Sequence, residues 1–183
     1  MQIIAEVKTE SPFGFRSSKS WDELFEIAEH IGDIISVHTD ARWGGSFALL
    51  EHARAMTKKP ILAKGLHESD AEVQAAVALG ADWVLVVGRV PEHNLARCII
   101  EPFYLADLST IPSLCKVVWN SRDLKTGELK KETFPEARKQ WSGWLCQASN
   151  IHSIRDIYKT ADAVLIGEHL PEIASEFSLL TAK

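Results

Sequence analysis

Eight strand-length apolar runs recur along the chain, at residues 3–8, 33–39, 60–65, 83–89, 97–102, 116–121, 143–149 and 163–168. Several are nearly continuous in branched residues, as in Val84-Leu-Val-Val87, rather than alternating. That pattern belongs to strands covered on both faces. Between the runs the apolar spacing becomes helical. Leu24, Phe25, Ile27, Ala28 and Ile31 follow Ser20, which predicts an N-cap and a helix over 21–31. Further helices are predicted over 47–56, over 71–79 closed by Gly80, and over 154–158 and 171–180. No GxGxxG follows the first run, so a doubly wound dinucleotide-binding sheet is the weaker solution. The alternation predicts an α/β fold, a (β/α)8 TIM barrel forming a single domain over residues 1–183. With 183 residues against the ~250 usual for this architecture, the barrel must be compact. The saving is visible at 90–96, too short for a full helix, so the fourth helix is expected to be reduced or missing. The fifth connection, 103–115, has room for only a brief one.

Composition narrows the function classes. A formal charge of -5 and a pI near 5.8 give no global electrostatic case for nucleic acid. No apolar run approaches the ~20 residues that span a bilayer, so no membrane partner is expected. The N-terminus enters a strand pattern without a secretory signal pattern. Cys98, Cys115 and Cys146 each lie in or beside an apolar run, which reads as reduced, buried thiols in a cytoplasmic protein. There is no CxxC or Cys/His cluster, so no metal site is expected. Apolar barrel wall, if exposed beside the short fourth connection, would allow a homodimer.

In such barrels the chemistry sits where strands end. Those ends carry Glu6 and Lys8, Thr39, Lys64, Arg89, Glu101, Asn120 with Arg122, Ser149 with Asn150, and Gly167 with Glu168. Glu6 and Lys8 are two apart and face one side of a strand, either as a mutual ion pair or as the edge of a site. A single terminal charge means little. Two lysines, two glutamates and an asparagine converging on one cavity would shift each other's pKa values toward acid–base use. The segments Ser149-Asn150 and Gly167-Glu168 suit either a phosphate held by backbone N–H groups or ordinary turns and caps.

These residues resemble the indole-3-glycerol phosphate synthase family. The likeness runs through Ala5-Glu-Val-Lys-Thr-Glu-Ser-Pro12, Ile35-Ser-Val-His-Thr-Asp40 with Gly44-Gly-Ser46, and Pro60-Ile-Leu-Ala-Lys64. It continues through Gly80-Ala-Asp82, Ile99-Ile-Glu101, Asn120-Ser-Arg-Asp-Leu124 and Ala161-Asp-Ala-Val-Leu-Ile-Gly-Glu168. The resemblance implies a cofactor-free carbon–carbon lyase of tryptophan biosynthesis. Its substrate would be a sugar phosphate, 1-(2-carboxyphenylamino)-1-deoxyribulose 5-phosphate, which loses CO2 and water as an indole ring closes. Lys64 would be the general acid, Glu101 would move protons, and Lys8 on the first loop would meet the substrate carboxylate or phosphate. Glu6 and Asn120 would orient these groups. Ser11, Arg122, Ser149, Asn150 and the backbone at Gly167 and Glu168 would bind substrate and phosphate.

The chain also departs from the family. It begins at the first strand, so a shortened relative without the N-terminal extension is expected. Its seventh strand reads Gln147-Ala-Ser-Asn150 where the family has Glu-Ser-Gly, so Ala148 replaces a carboxylate. Gly65-Leu66 replaces Asp-Phe after Lys64, and Trp43 stands where an aromatic pair is usual. The alternative is a degenerate barrel that binds a phosphorylated metabolite or a protein partner without this catalysis. Phosphoribosylanthranilate isomerase, a third option, needs a Cys on the first strand, where this chain has none.

Overall fold

The computed structural model describes residues 1–181. Eight parallel strands close a barrel in chain order: β1 Gln2–Val7, β2 Ile34–His38, β3 Ile61–Lys64, β4 Trp83–Val87, β5 Cys98–Glu101, β6 Lys116–Asn120, β7 Leu145–Ala148 and β8 Ala163–Ile166. Alternate residues divide between two cores. Ile4, Leu62, Leu85, Ile99, Val118, Cys146 and Leu165 pack inside the barrel. Ala5, Val37, Ala63, Val86, Ile100, Trp119 and Val164 pack outward against the helices. Both faces of each strand are therefore buried, which explains the continuous branched runs in the sequence. Register fixes the barrel's upper layer, with Glu6 beside Ser36, His38 beside Lys64, Val87 beside Glu101, and Asn120 beside Ala148.

Helices α1 Trp21–Ile31, α2 Phe47–Met56, α3 Asp70–Ala78, α4 Phe134–Gln140 and α5 Leu170–Thr181 surround the strands. Ser20 and Glu23 form a capping box on α1, and Ser69 and Glu72 form one on α3. The fourth connection holds only the 3-10 turn Leu95–Arg97, and the fifth holds Leu105–Thr110. Over 154–158 the predicted helix is reduced to the 3-10 turn Ile154–Asp156, whose backbone is tied back to β7. Gln147 Nε2 donates to the Asp156 carbonyl, and Tyr158 N donates to Gln147 Oε1. Helix α4 was not expected, because its sequence is mostly polar and only Phe134 and Ala137 are buried. Its signal was local: Thr133 and Glu136 form a capping box, with Pro135 in the first turn.

The lower end of the barrel is held by a repeated device. Asp33, Asp82 and Asp162 precede β2, β4 and β8, and each accepts a backbone N–H from the first or second residue of the preceding strand, at Ile3, Ile61 and Leu145 (2.7, 2.9 and 2.9 Å). Arg54 at the end of α2 also bonds Asp82 at 3.0 Å, and Arg138 in α4 bonds Asp162 at 2.9 Å. The ammonium of Lys116 closes the same end over the rings of Trp83 and Trp144. Among the described residues no helix is long and apolar enough to cross a membrane.

Candidate active site

The inward side chains at the upper rim build a polar centre on a hydrophobic floor. Glu6 is its hub. Its Oε1 accepts from His38 Nε2 at 2.7 Å and lies 2.9 Å from Lys64 Nζ. All three side chains are largely buried. Burial alone would raise the Glu6 carboxyl, but Lys64, His38 and Lys8 hold it well below the usual carboxylate range. Burial likewise opposes charge on Lys64, and Glu6 and Glu101 overcome it, so the ammonium is held above its ordinary range. Burial brings the His38 imidazole down to about 4 against the pull of Glu6, leaving it neutral near pH 7. A neutral ring beside an ionised carboxylate carries its proton on Nε2. Its Nδ1 is buried with no partner among the described residues.

The mutual Glu6–Lys8 ion pair, one of the two sequence-based options, does not form. Lys8 lies beyond the last residue of β1, and its ammonium crosses to Glu168 after β8, 2.8 Å away. Glu6 sits one layer deeper, where Lys64 and His38 take its oxygen.

On the opposite wall Asn120 Nδ2 donates to Glu101 Oε1 at 2.8 Å, and Asn120 Oδ1 accepts from the backbone N–H of Arg122 at 2.9 Å. This chain joins the β5 carboxyl to the loop after β6. Glu101 is fully buried, and its Oε2 has no hydrogen-bond partner among the described residues. Burial pushes this carboxyl up, and Lys64 and Asn120 only partly offset it. The centre therefore holds two carboxyl groups driven in opposite directions by their surroundings.

Above it lies a cleft of about 50 Å3 whose lining includes Glu6, Lys8, Lys64, Asn120, Arg122, Ser149, Asn150, Gly167 and Glu168. Ser149 and Asn150 both take left-handed backbone, φ 64° and 54°, a conformation Asn tolerates better than most residues. Arg122 donates to the Gly127 carbonyl at 2.8 Å and lies 3.8 Å from Glu168. The Glu168 carboxylate, and not only its backbone, thus stands among the cations of the cleft. His152 and His169 complete this end, their rings 4.5 Å apart.

Two loops roof the cleft. The β1 loop folds on itself through a Glu10–Arg16 bridge, and the β6 loop through an Arg122–Leu129 bridge. They meet at Phe13 and Gly127, where a Cβ on Gly127 would come 2.4 Å from the Phe13 ring. Trp43 lies parallel to His38, ring centroids 5.8 Å apart, beside an apolar slot formed with Leu66, Val87 and Leu124.

Of the residues singled out by sequence, the structure brings Glu6, Lys8, Lys64, Asn120, Arg122, Ser149, Asn150, Gly167 and Glu168 to this cleft. Glu101 lies beneath it, joined through Asn120. Ser11 does not line it, and its Oγ accepts from the N–H groups of Phe13 and Phe15 within the β1 loop. Arg89 pairs with Asp70 at the start of α3. Sequence reasoning missed His38. It took Thr39 as the end of that strand, although the period of two places residue 38 on the inward face.

The family model for indole-3-glycerol phosphate synthase matches residues 1–102. An indole-3-glycerol phosphate synthase of Leifsonia xyli is 31% identical over 93% of this chain and 75% of its own length. One from Sulfurisphaera tokodaii is 37% identical over 48% of this chain, and the match spans 37% of that relative. A crystal structure of 3-hexulose-6-phosphate synthase superposes with a TM-score of 0.65, covering 94% of this chain and all of that one. At 15% identity this last likeness shows the fold alone.

Proposed function

Because the chain belongs to the indole-3-glycerol phosphate synthase family, we propose that it is a carboxy-lyase that closes an indole ring on 1-(2-carboxyphenylamino)-1-deoxyribulose 5-phosphate, a step of tryptophan biosynthesis in the cytoplasm. The observation that carries this reading is the buried Lys64 ammonium, bonded to Glu6 of β1 and held charged by Glu6 and by Glu101 of β5. In ring closure the aromatic carbon bearing the carboxylate attacks the sugar carbonyl, whose oxygen gains negative charge. Lys64 supplies the proton that makes it a hydroxyl, and ionised Glu6 holds the lysine in place. Departure of CO2 restores the aromatic ring. Lys64, its ammonium reloaded from solvent, then protonates the hydroxyl, which leaves as water while a base takes a proton from the neighbouring methylene carbon. Glu101 is the group for that step, because burial raises its carboxyl and so makes the ionised form a stronger base, and Asn120 fixes its aim. Arg122, Ser149 and Asn150 supply the phosphate end, and Lys8 the substrate carboxylate.

Phe13 and the Lys8–Glu168 pair stand in the cleft where the substrate and its charges would sit, so binding is expected to displace them. One observation favours the binding-only reading: Ala148 offers no carboxylate at the end of β7. The deciding experiment incubates purified protein with the substrate and follows indole fluorescence. Turnover that falls at least a hundredfold in Lys64→Ala supports the proposal. No turnover at high protein concentration, with the substrate still bound in a calorimeter, leaves the binding reading in its place.

A further inference from the structure

His38 is a buried, neutral imidazole in the polar centre, and the reaction steps above give it no part. Its Nε2 and Lys64 Nζ contact the same atom, Glu6 Oε1, at 2.7 and 2.9 Å. Trp43 stacks over the ring and the backbone of His38 packs under Gly45, so the imidazole has little freedom to leave that oxygen. The groups facing it are Glu6 and Lys64, with Lys8 at the end of β1 and Asp40 in the following loop. Lys64 in turn faces Glu6, Glu101 and Cys146.

A carboxylate oxygen that accepts two hydrogen bonds shares its charge between them. The more strongly it serves one donor, the less firmly it holds the other's proton. We infer that His38 is a positioning residue for Lys64: by donating to the shared oxygen of Glu6, it fixes that oxygen and weakens its hold on the lysine proton. Without the imidazole, Glu6 would bind the ammonium alone, and Lys64 would become a poorer acid. The inference rests on Lys64 being the proton donor of the proposed reaction, and its first test is independent of turnover.

That test follows the nitrogen-15 imidazole signals of His38 against pH in the full chain, assigned by their absence in His38→Gln. In the unaltered protein the ring is protonated at Nε2 only, and it titrates at about pH 4. In Lys64→Met the ring has the Glu6 oxygen to itself, and its titration moves up toward neutral pH. A His38 titration that Lys64→Met leaves in place overturns the inference, whether or not the protein turns over substrate. The second test compares pH profiles of kcat. His38→Leu is expected to lose about tenfold in kcat with KM within about twofold, and its alkaline limb moves to higher pH. His38→Gln, which keeps a donor at similar reach, restores both. A structural role for His38 would lower stability and kcat without moving the limb, and an unmoved limb in His38→Leu overturns the inference.

Discussion

Lys8 and Glu168, at the ends of the first and last strands, meet at 2.8 Å across the mouth of the cleft. The carboxylate that occupies Lys8 also lies 3.8 Å from Arg122, so one anionic side chain stands where an anionic ligand should bind. It must be displaced before both cations are free. Glu168→Gln removes that competition. Inorganic phosphate should bind this variant roughly fivefold more tightly, a difference of about 1 kcal/mol, measurable by calorimetry at low salt. Unchanged or weaker phosphate affinity would show that Glu168 does not guard the site.

Glu101 is expected to cost the fold stability while serving the reaction. Burial raises its folded carboxyl above the ordinary 4.5. A raised carboxyl stabilises the folded state least where the group must be ionised. The penalty is absent below the unfolded pKa, grows as pH rises from there, and is complete above the folded pKa. Glu101→Gln should therefore melt higher than the unaltered protein at pH 8 and no higher at pH 4, while kcat drops at least a hundredfold. A melting temperature that falls equally at both pH values would contradict this assignment.

Glu6 has the opposite sign. Its folded carboxyl is held well below 4.5, so its contribution is present above the unfolded pKa and is lost as pH falls through the folded one. Glu6→Gln leaves the Lys64 ammonium buried without its main partner, and removing one member of a buried pair costs about 3–5 kcal/mol. Denaturant titrations should show that loss at pH 7 and a much smaller one in strong acid. A loss independent of pH would place the charge pairing elsewhere.

The contact between the two roof loops is open to a steric test. Gly127 has φ 80°, and a Cβ there meets Phe13 at 2.4 Å. Gly127→Ala should raise KM several-fold by lifting the β1 loop, with about 1 kcal/mol lost to left-handed backbone. Adding Phe13→Ala relieves the clash but not the backbone strain. If the double variant melts no higher than Gly127→Ala alone, the loops do not press on each other there.

At the opposite end, Asp162→Ala removes the acceptor shared by Leu145 N and Arg138. Stability should fall by about 1 kcal/mol, or some 2–4 °C in Tm, with kcat unchanged. A drop in kcat at full occupancy of the folded state would mean that the two ends of the barrel are coupled.

The strands were legible because each is buried on both faces and leaves a continuous apolar run. The rim residues were legible because a charge ending such a run has no packing reason to be there. Helix α4 was hidden by its polar exterior, and residues 154–158 were read as helix from apolar spacing although Gln147 ties their backbone into a turn. His38 was hidden because the strand was read one residue too long, to Thr39, and its inward parity was not followed. Sequence also could not assign partners among Glu6, Lys8, Lys64 and Glu168. Four opposite charges allow several pairings, and depth within the barrel decides among them.

The three aspartates at the foot of the barrel, with Arg54 and Arg138, bond backbone and side chains far from any group that would touch a substrate. What keeps the strands in register is thus anchored in residues on which the chemistry makes no demand. Side chains at the rim can therefore change without touching this frame, and the chain still inherits a folded protein. The molecule is organised for change at one pole and for constancy at the other.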